Sequence, residues 1–378
     1  MVEWVVCVAA VVVSFEDRPA DVVQAAKDRR VVETLLRLKG VKLNTKPQWK
    51  AAVRRHLHRI VGQPKYFDLI ERFALREETP QLLDLAVAFP ARSSAVSALR
   101  LLLKFERQAE IRRALKDHPG KAAGLIAALG LAGGRSALEI LQPLVVDREQ
   151  SLAVRSAAAR AVGRNLQGQQ SLLTLVREQK LPRDLHFTVA DVLFGSPIAA
   201  VRSEVARYLK MPAAAKGKAL PPVAQLAKRR GNAARGERVF NMQGTCAKCH
   251  KVRDAGKEVG PDLSEIGSKL STEALYVSIL DPSAGISHNY ESYIVVTVEG
   301  TVLTGVKVSD SATQITIKTA EAVERPFSKL DLEDVIKQPT SLMPEDLQKN
   351  LSLDELVDLV EYLETLKKPP TGIKSAKP

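Results

Sequence analysis

Cys246-Ala247-Lys248-Cys249-His250, CAKCH in one-letter code, decides how the rest of this chain reads. C-x-x-C-H is the attachment sequence for c-type haem. Two thiols add to the porphyrin vinyl groups, the two residues between them let both sulfurs reach one edge of the ring, and the adjacent imidazole falls under the iron as proximal ligand. A zinc or thiol-redox C-x-x-C is the competing reading. Zinc needs further ligands, but the only other cysteine is Cys7 and no closely spaced histidine pair follows. A thioredoxin-like pair opens a helix after a strand, whereas glycine and polar residues precede Cys246. The motif therefore predicts one covalent haem c, with Cys246, Cys249 and His250 as its anchors.

The flanks agree with that prediction. Upstream, Asn232 can cap a short helix that carries Gly236, Val239 and Phe240. Downstream come Gly260-Pro261-Asp262-Leu263 and Leu342-Met343-Pro344. A final helix opens with a Ser352/Glu355 capping box and repeats apolar residues at Leu356, Leu359, Val360, Leu363 and Leu366. This order resembles a small cytochrome c, in which the first and last helices cross; Gly236 would allow the close approach beside Phe240 and Tyr362. Gly236-Glu237-Arg238-Val239-Phe240, CAKCH, Val259 to Gly267, Ser278 to Ala284 and Ser341 to Pro344 together resemble the haem-binding domain widespread in Planctomycetes and Verrucomicrobia, over roughly residues 230 to 368.

The chain of 378 residues exceeds the size at which one core keeps growing, so two domains are expected. Its net charge of +13 conceals an asymmetry: residues 1–231 hold 39 Lys and Arg against 21 Asp and Glu, whereas residues 232–368 hold 15 against 22. A basic first part could dock an acidic redox partner, an anionic polysaccharide or the acidic haem domain, or could be a solvated helix surface. No nucleic-acid reader motif accompanies the charge, so no nucleic-acid partner is expected. Haem c is attached outside the bacterial cytoplasm, which predicts a periplasmic or cell-surface location. Residues 1–19 contain an apolar run of signal-peptide length, but Glu3 stands where a basic residue is expected. A degenerate signal, a misjudged start and a buried first helix all fit that run, and it is too short to settle membrane association.

Residues 20–210 read as helix after helix, punctuated by Gly40, Gly62-Gln63-Pro64 and Thr79-Pro80. Ala153 to Arg160 recurs as Ala200 to Arg207, a spacing at the upper end of the HEAT and armadillo range. The fold class expected is thus mainly α: a HEAT-like α-solenoid, a 211–231 linker broken by Pro212, Gly217, Pro221 and Pro222, and a cytochrome c-like helical domain over 232–368. Within that domain Val-, Ile- and Thr-rich runs predict a small antiparallel β insertion of three or four strands over 290–330, with Glu299-Gly300 as a two-residue turn. Residues 369–378 form a tail.

His250 is expected as proximal ligand, and resemblance to cytochromes c implies that the Pro261 carbonyl accepts its other ring N–H. Three residues compete for the sixth position. Met343 is distant in sequence, but removing a β insertion brings it within reach, and the family pattern places a ligand there. Met242 is too close to Cys246 to reach the far side of the ring, and His288 is a lone loop histidine. His56, His58, His118 and His186 are expected at the surface. His/Met ligation implies electron transfer rather than bond-making catalysis. The function expected is a monohaem module receiving electrons from a separate dehydrogenase and passing them on, with the helical repeats as docking surface. The alternatives are a solenoid scaffold with haem as sensor or structural element, and a haem peroxidase.

Overall fold

The computed structural model describes residues 19–368 apart from 39, 42, 44 and 45. The apolar N-terminal run and the 369–378 tail lie outside the described residues. The chain divides into two compact units, Met1–Ala114 and Leu115–Pro378.

In the first unit the described elements are α1 (Pro19–Arg37), α2 (Pro47–Arg59), α3 (Pro64–Phe73), α4 (Thr79–Ala88), α5 (Ser93–Lys104) and most of α6 (Gln108–Asp117). Proline opens α2, α3 and α4, where its missing N–H costs no helical hydrogen bond. Leu57, Tyr66, Leu69, Ile70, Leu82, Leu99 and Leu102 are fully buried and form the core. His56 departs from the surface expectation: it is 8% exposed on the inner side of α2, and its Nε2 has no partner. Burial, reinforced by Lys65 and Arg59, pushes its pKa down, so the neutral ring is favoured.

The second unit begins with α7 (Ala122–Ala132), α8 (Arg135–Val146), α9 (Leu152–Val162), α10 (Leu166–Arg177), α11 (His186–Phe194) and α12 (Ala199–Val205). The two alanine-rich copies fall on α9 and α12. Small residues set the packing distance between helices: a side chain at Gly130 of α7 would run into Ala161 of α9. Ser151 and Asn165 cap α9 and α10 by accepting the N–H of Val154 and Gly168.

The expected linker is not a free connection. Ala214, Leu220, Val223 and Leu226 are buried in the same cluster as Phe240, Tyr276 and Leu356. Ala213 bridges Ala219, the Ala215 N–H donates to Leu351 O at 2.8 Å, and α13 (Val223–Leu226) is a single turn. Asp191 of α11 accepts the Val223 N–H at 2.7 Å and the Arg160 guanidinium at 3.0 Å. The prolines that break regular structure therefore shape a packed segment, and no unit boundary falls there.

The haem-type region follows with α14 (Ala233–Asn241), a two-residue ribbon of β1 (Lys251–Val252) and β2 (Ala255–Gly256), α15 (Ile266–Lys269), α16 (Thr272–Leu280) and α17 (Leu353–Thr365). Helices α14 and α17 cross where Gly236 meets Asp358; any Cβ at Gly236 would strike the Asp358 backbone. Phe240 and Tyr362 lie beside the crossing with ring centroids 5.7 Å apart. The Ser352/Glu355 capping box is present in full.

Between α16 and α17 stand β3 (Ser292–Thr297), β4 (Val302–Asp310), β5 (Gln314–Lys318), β6 (Glu324–Ser328) and β7 (Leu332–Lys337). They make an antiparallel sheet in the order β6-β5-β4-β3-β7. Strand β7 extends the insertion beyond the expected limit at 330. The β3–β4 loop differs from the expected turn: Thr297 N donates to Thr301 O and Gly300 N to Thr297 O, which makes a three-residue loop with Gly300 at φ 80°. Because β3 pairs with β7, placing Tyr293 opposite Lys337, the insertion leaves and re-enters the helical region at one place.

Candidate haem-binding site

The CAKCH segment is held by its own backbone. Thr245 adopts a left-handed conformation at φ 54°, Cys246–Lys248 makes one 3-10 turn, and His250 N donates to Cys246 O at 2.8 Å. The chain then reverses through β1 and β2, so that the N–H groups of Val259 and Gly260 both reach Cys249 O, at 2.9 and 2.8 Å. This places Gly260-Pro261 against the His250 ring. A Cβ at Gly260 would lie 2.5 Å from the imidazole Cε1, so glycine is the residue that leaves room for the ring. His250 Nδ1 lies 2.8 Å from Pro261 O, the bond in which the ring N–H donates to the carbonyl.

Cys246, Cys249, His250, Pro261 and Met343 all line one cavity of about 380 Å³. Its other walls are mostly apolar, among them Leu263, Ile266, Leu275, Ile279 and Leu347. Helix α16 and the loop after Pro282 supply one part, and Ser341 to Pro344 another. Met343 is half-buried and packs against the core that also contacts Cys246 and Ala247. The other candidates for the sixth position are turned to solvent: Met242 is 66% exposed, and the His288 side chain is 89% exposed. His58, His118 and His186 are exposed as expected.

Burial pushes the Cys246 thiol up to about 11 and raises that of Cys249 as well. A thiol-redox pair needs a lowered pKa to present a thiolate, so this environment runs against that reading. Burial lowers the His250 pKa, while the hydrogen bond to Pro261 opposes it. A buried neutral imidazole with Nδ1–H engaged presents Nε2 as its free lone pair. Among the described residues no group of three or more His, Cys, Asp and Glu could hold a metal ion. Two thiols and an imidazole on one apolar cavity are instead the groups that covalent haem c requires, and the Met343 thioether lines the same cavity.

Sequence reasoning overlooked several residues of the cavity. Val306 and Ala320 of the β insertion line it, and the insertion is tied to the CAKCH loop by Lys318 Nζ donating to Glu258 O at 3.1 Å and Lys257 Nζ donating to Glu321 O at 3.3 Å. Tyr290 and Ser287 also contribute. No periodicity marks these positions: Val306 is carried to the cavity on β4, where it pairs with Lys318 of β5 two residues before Ala320, while Ser287 and Tyr290 come from the loop between α16 and β3.

Against models of known families, residues 233–310 match Cytochrome c. Those residues form a cytochrome c domain, whose cofactor is covalently bound haem c and whose role is that of a haem-binding electron carrier. The matched stretch ends with β4, before Met343. Comparison with curated proteins gives no significant match. No helix among the described residues is long and apolar enough to cross a membrane.

Proposed function

We propose that the chain is a monohaem c-type cytochrome that receives electrons from a separate dehydrogenase and delivers them to an acceptor protein in the periplasm or at the cell surface. In this reading Cys246 and Cys249 hold the porphyrin, His250 is the proximal ligand, Pro261 orients its ring and Met343 is the sixth ligand. The observation that carries it is the His250 Nδ1 to Pro261 O contact at 2.8 Å, on a cavity that Met343 also lines.

Haem c with His/Met ligation supplies a one-electron iron couple of raised potential that changes state with little rearrangement. The chain's own residues supply the setting. The Pro261 carbonyl fixes which ring nitrogen keeps its proton, and the apolar walls limit water at the site. The insertion adds Val306 and Ala320 to those walls. The helical region, read as HEAT-like repeats with an excess of Lys and Arg, is the docking surface in this proposal, suited to an acidic partner. The motifs Ser278 to Ala284 and Ser341 to Pro344 support the Planctomycetes and Verrucomicrobia type of domain.

Carbon monoxide binding to ferrous holoprotein tests the ligand assignment. Wild type should resist carbon monoxide and show the long-wavelength charge-transfer band of sulfur-ligated ferric haem. Met343→Ala should keep its haem, lose that band, bind carbon monoxide rapidly and have a lower reduction potential. An unchanged spectrum in the variant would exclude Met343 as ligand.

A further inference from the structure

Met343 sits on an irregular strap, and the structure ties that strap to two buried hydroxyls. Ser283 is 8% exposed and follows Pro282, which lines the cavity at the end of α16. Its Oγ accepts the Ser341 N–H at 3.1 Å and donates to Glu345 Oε1 in a longer contact of 3.4 Å. Ser341 Oγ in turn accepts the Met343 N–H at 3.1 Å. Just upstream, Ser292 is 2% exposed and donates to Thr340 O at 2.6 Å. Ser283 thus contacts the strap two residues before Met343 and two residues after it, while Ser292 fixes its point of departure from the sheet.

We infer that Ser283 is the positioning residue for Met343: one buried hydroxyl, on the turn that follows α16, sets the backbone of Ser341–Glu345 so that Met343 stays on the cavity. The inference rests on the proposed ligation by Met343. A ligand on a loop keeps its geometry only when surrounding hydrogen bonds lock it. Ser283→Ala leaves the Ser341 N–H without its acceptor and the Glu345 carboxylate without its donor, so the strap gains conformations in which Met343 would no longer hold a bound haem.

The test compares wild type, S283A, S283T and M343A as holoproteins, by ferrous carbon monoxide association, the ferric charge-transfer band and the denaturant midpoint. S283A should bind carbon monoxide roughly tenfold faster than wild type, the factor by which one hydrogen bond biases a local equilibrium, with a weakened band. S283T keeps the hydroxyl and should return both readings toward wild type. A serine that only stabilises the turn would lower the midpoint and leave the band and the carbon monoxide rate unchanged. That result, beside an opened iron in M343A, overturns the inference alone; an M343A spectrum identical to wild type removes the ligand assignment and this inference together. If S283A yields no folded holoprotein, E345A at the exposed end of the strap should give a smaller rise in the same rate, and no rise overturns the inference.

Discussion

His250, the proposed axial ligand, owes its setting to two residues further along the chain that act in different ways. Pro261 offers a carbonyl to Nδ1, and Gly260 offers the absence of a side chain where the ring packs. Gly260→Ala should therefore push the imidazole away from Pro261. The expected loss is about 1–3 kcal/mol, the usual cost of forcing an extra carbon into a packed site, read as a lower denaturant midpoint of the haem absorbance, together with a changed reduction potential. A variant matching wild type in both would show that the ring has room to spare. At this scale much was legible in the sequence: residue type and spacing singled out Cys246, Cys249, His250, Pro261 and Met343, and these five line one cavity. His56 was missed although it shares the buried face of α2 with Val53 and Leu57 at helical spacing; a histidine between charged neighbours was read by its type and not by its place in that pattern.

The elements around the haem are organised by the crossing of α14 and α17. Gly236 permits the contact, and Asp358, buried on α17, accepts from the Asn232 N–H at 2.6 Å and from Arg235 at 2.6 and 3.1 Å. The hydrogen bond from Arg235 holds the Asp358 carboxyl below the usual aspartate value of 3.8, with burial opposing it. A carboxyl depressed in the folded state stabilises it fully above its unfolded pKa, and that contribution disappears as pH falls through the folded pKa. Asp358→Asn should thus cost about 1 kcal/mol at neutral pH, with the gap to wild type closing below pH 3.8. Urea unfolding at neutral and acid pH measures this; a gap that persists in acid would mean that the ionised carboxylate is not its source. The helices and their caps were legible from periodicity and from Asn232 and Ser352. Strand β7 was hidden, since Leu332-Glu333-Asp334-Val335-Ile336-Lys337 alternates poorly and is a strand only by virtue of pairing with β3.

Over the whole molecule, the insertion and the segment 211–231 have the largest consequences. Pairing of β3 with β7 closes the insertion on itself, which explains how a methionine so far along the chain returns to the cavity that holds His250. The 211–231 segment read as a linker because proline, glycine and lysine are linker residues. It packs because its few apolar side chains, Leu220, Val223 and Leu226, reach the core of α14, α16 and α17, a long-range match that no local pattern announces. Around these features the account depends on one covalent fact, a single haem bound through Cys246 and Cys249. Mass spectrometry of mature protein from its native host, with fragmentation across CAKCH, tests it most directly. One haem on the peptide containing both cysteines is the predicted result; a peptide with two unmodified thiols, or with a disulfide between them, would contradict it.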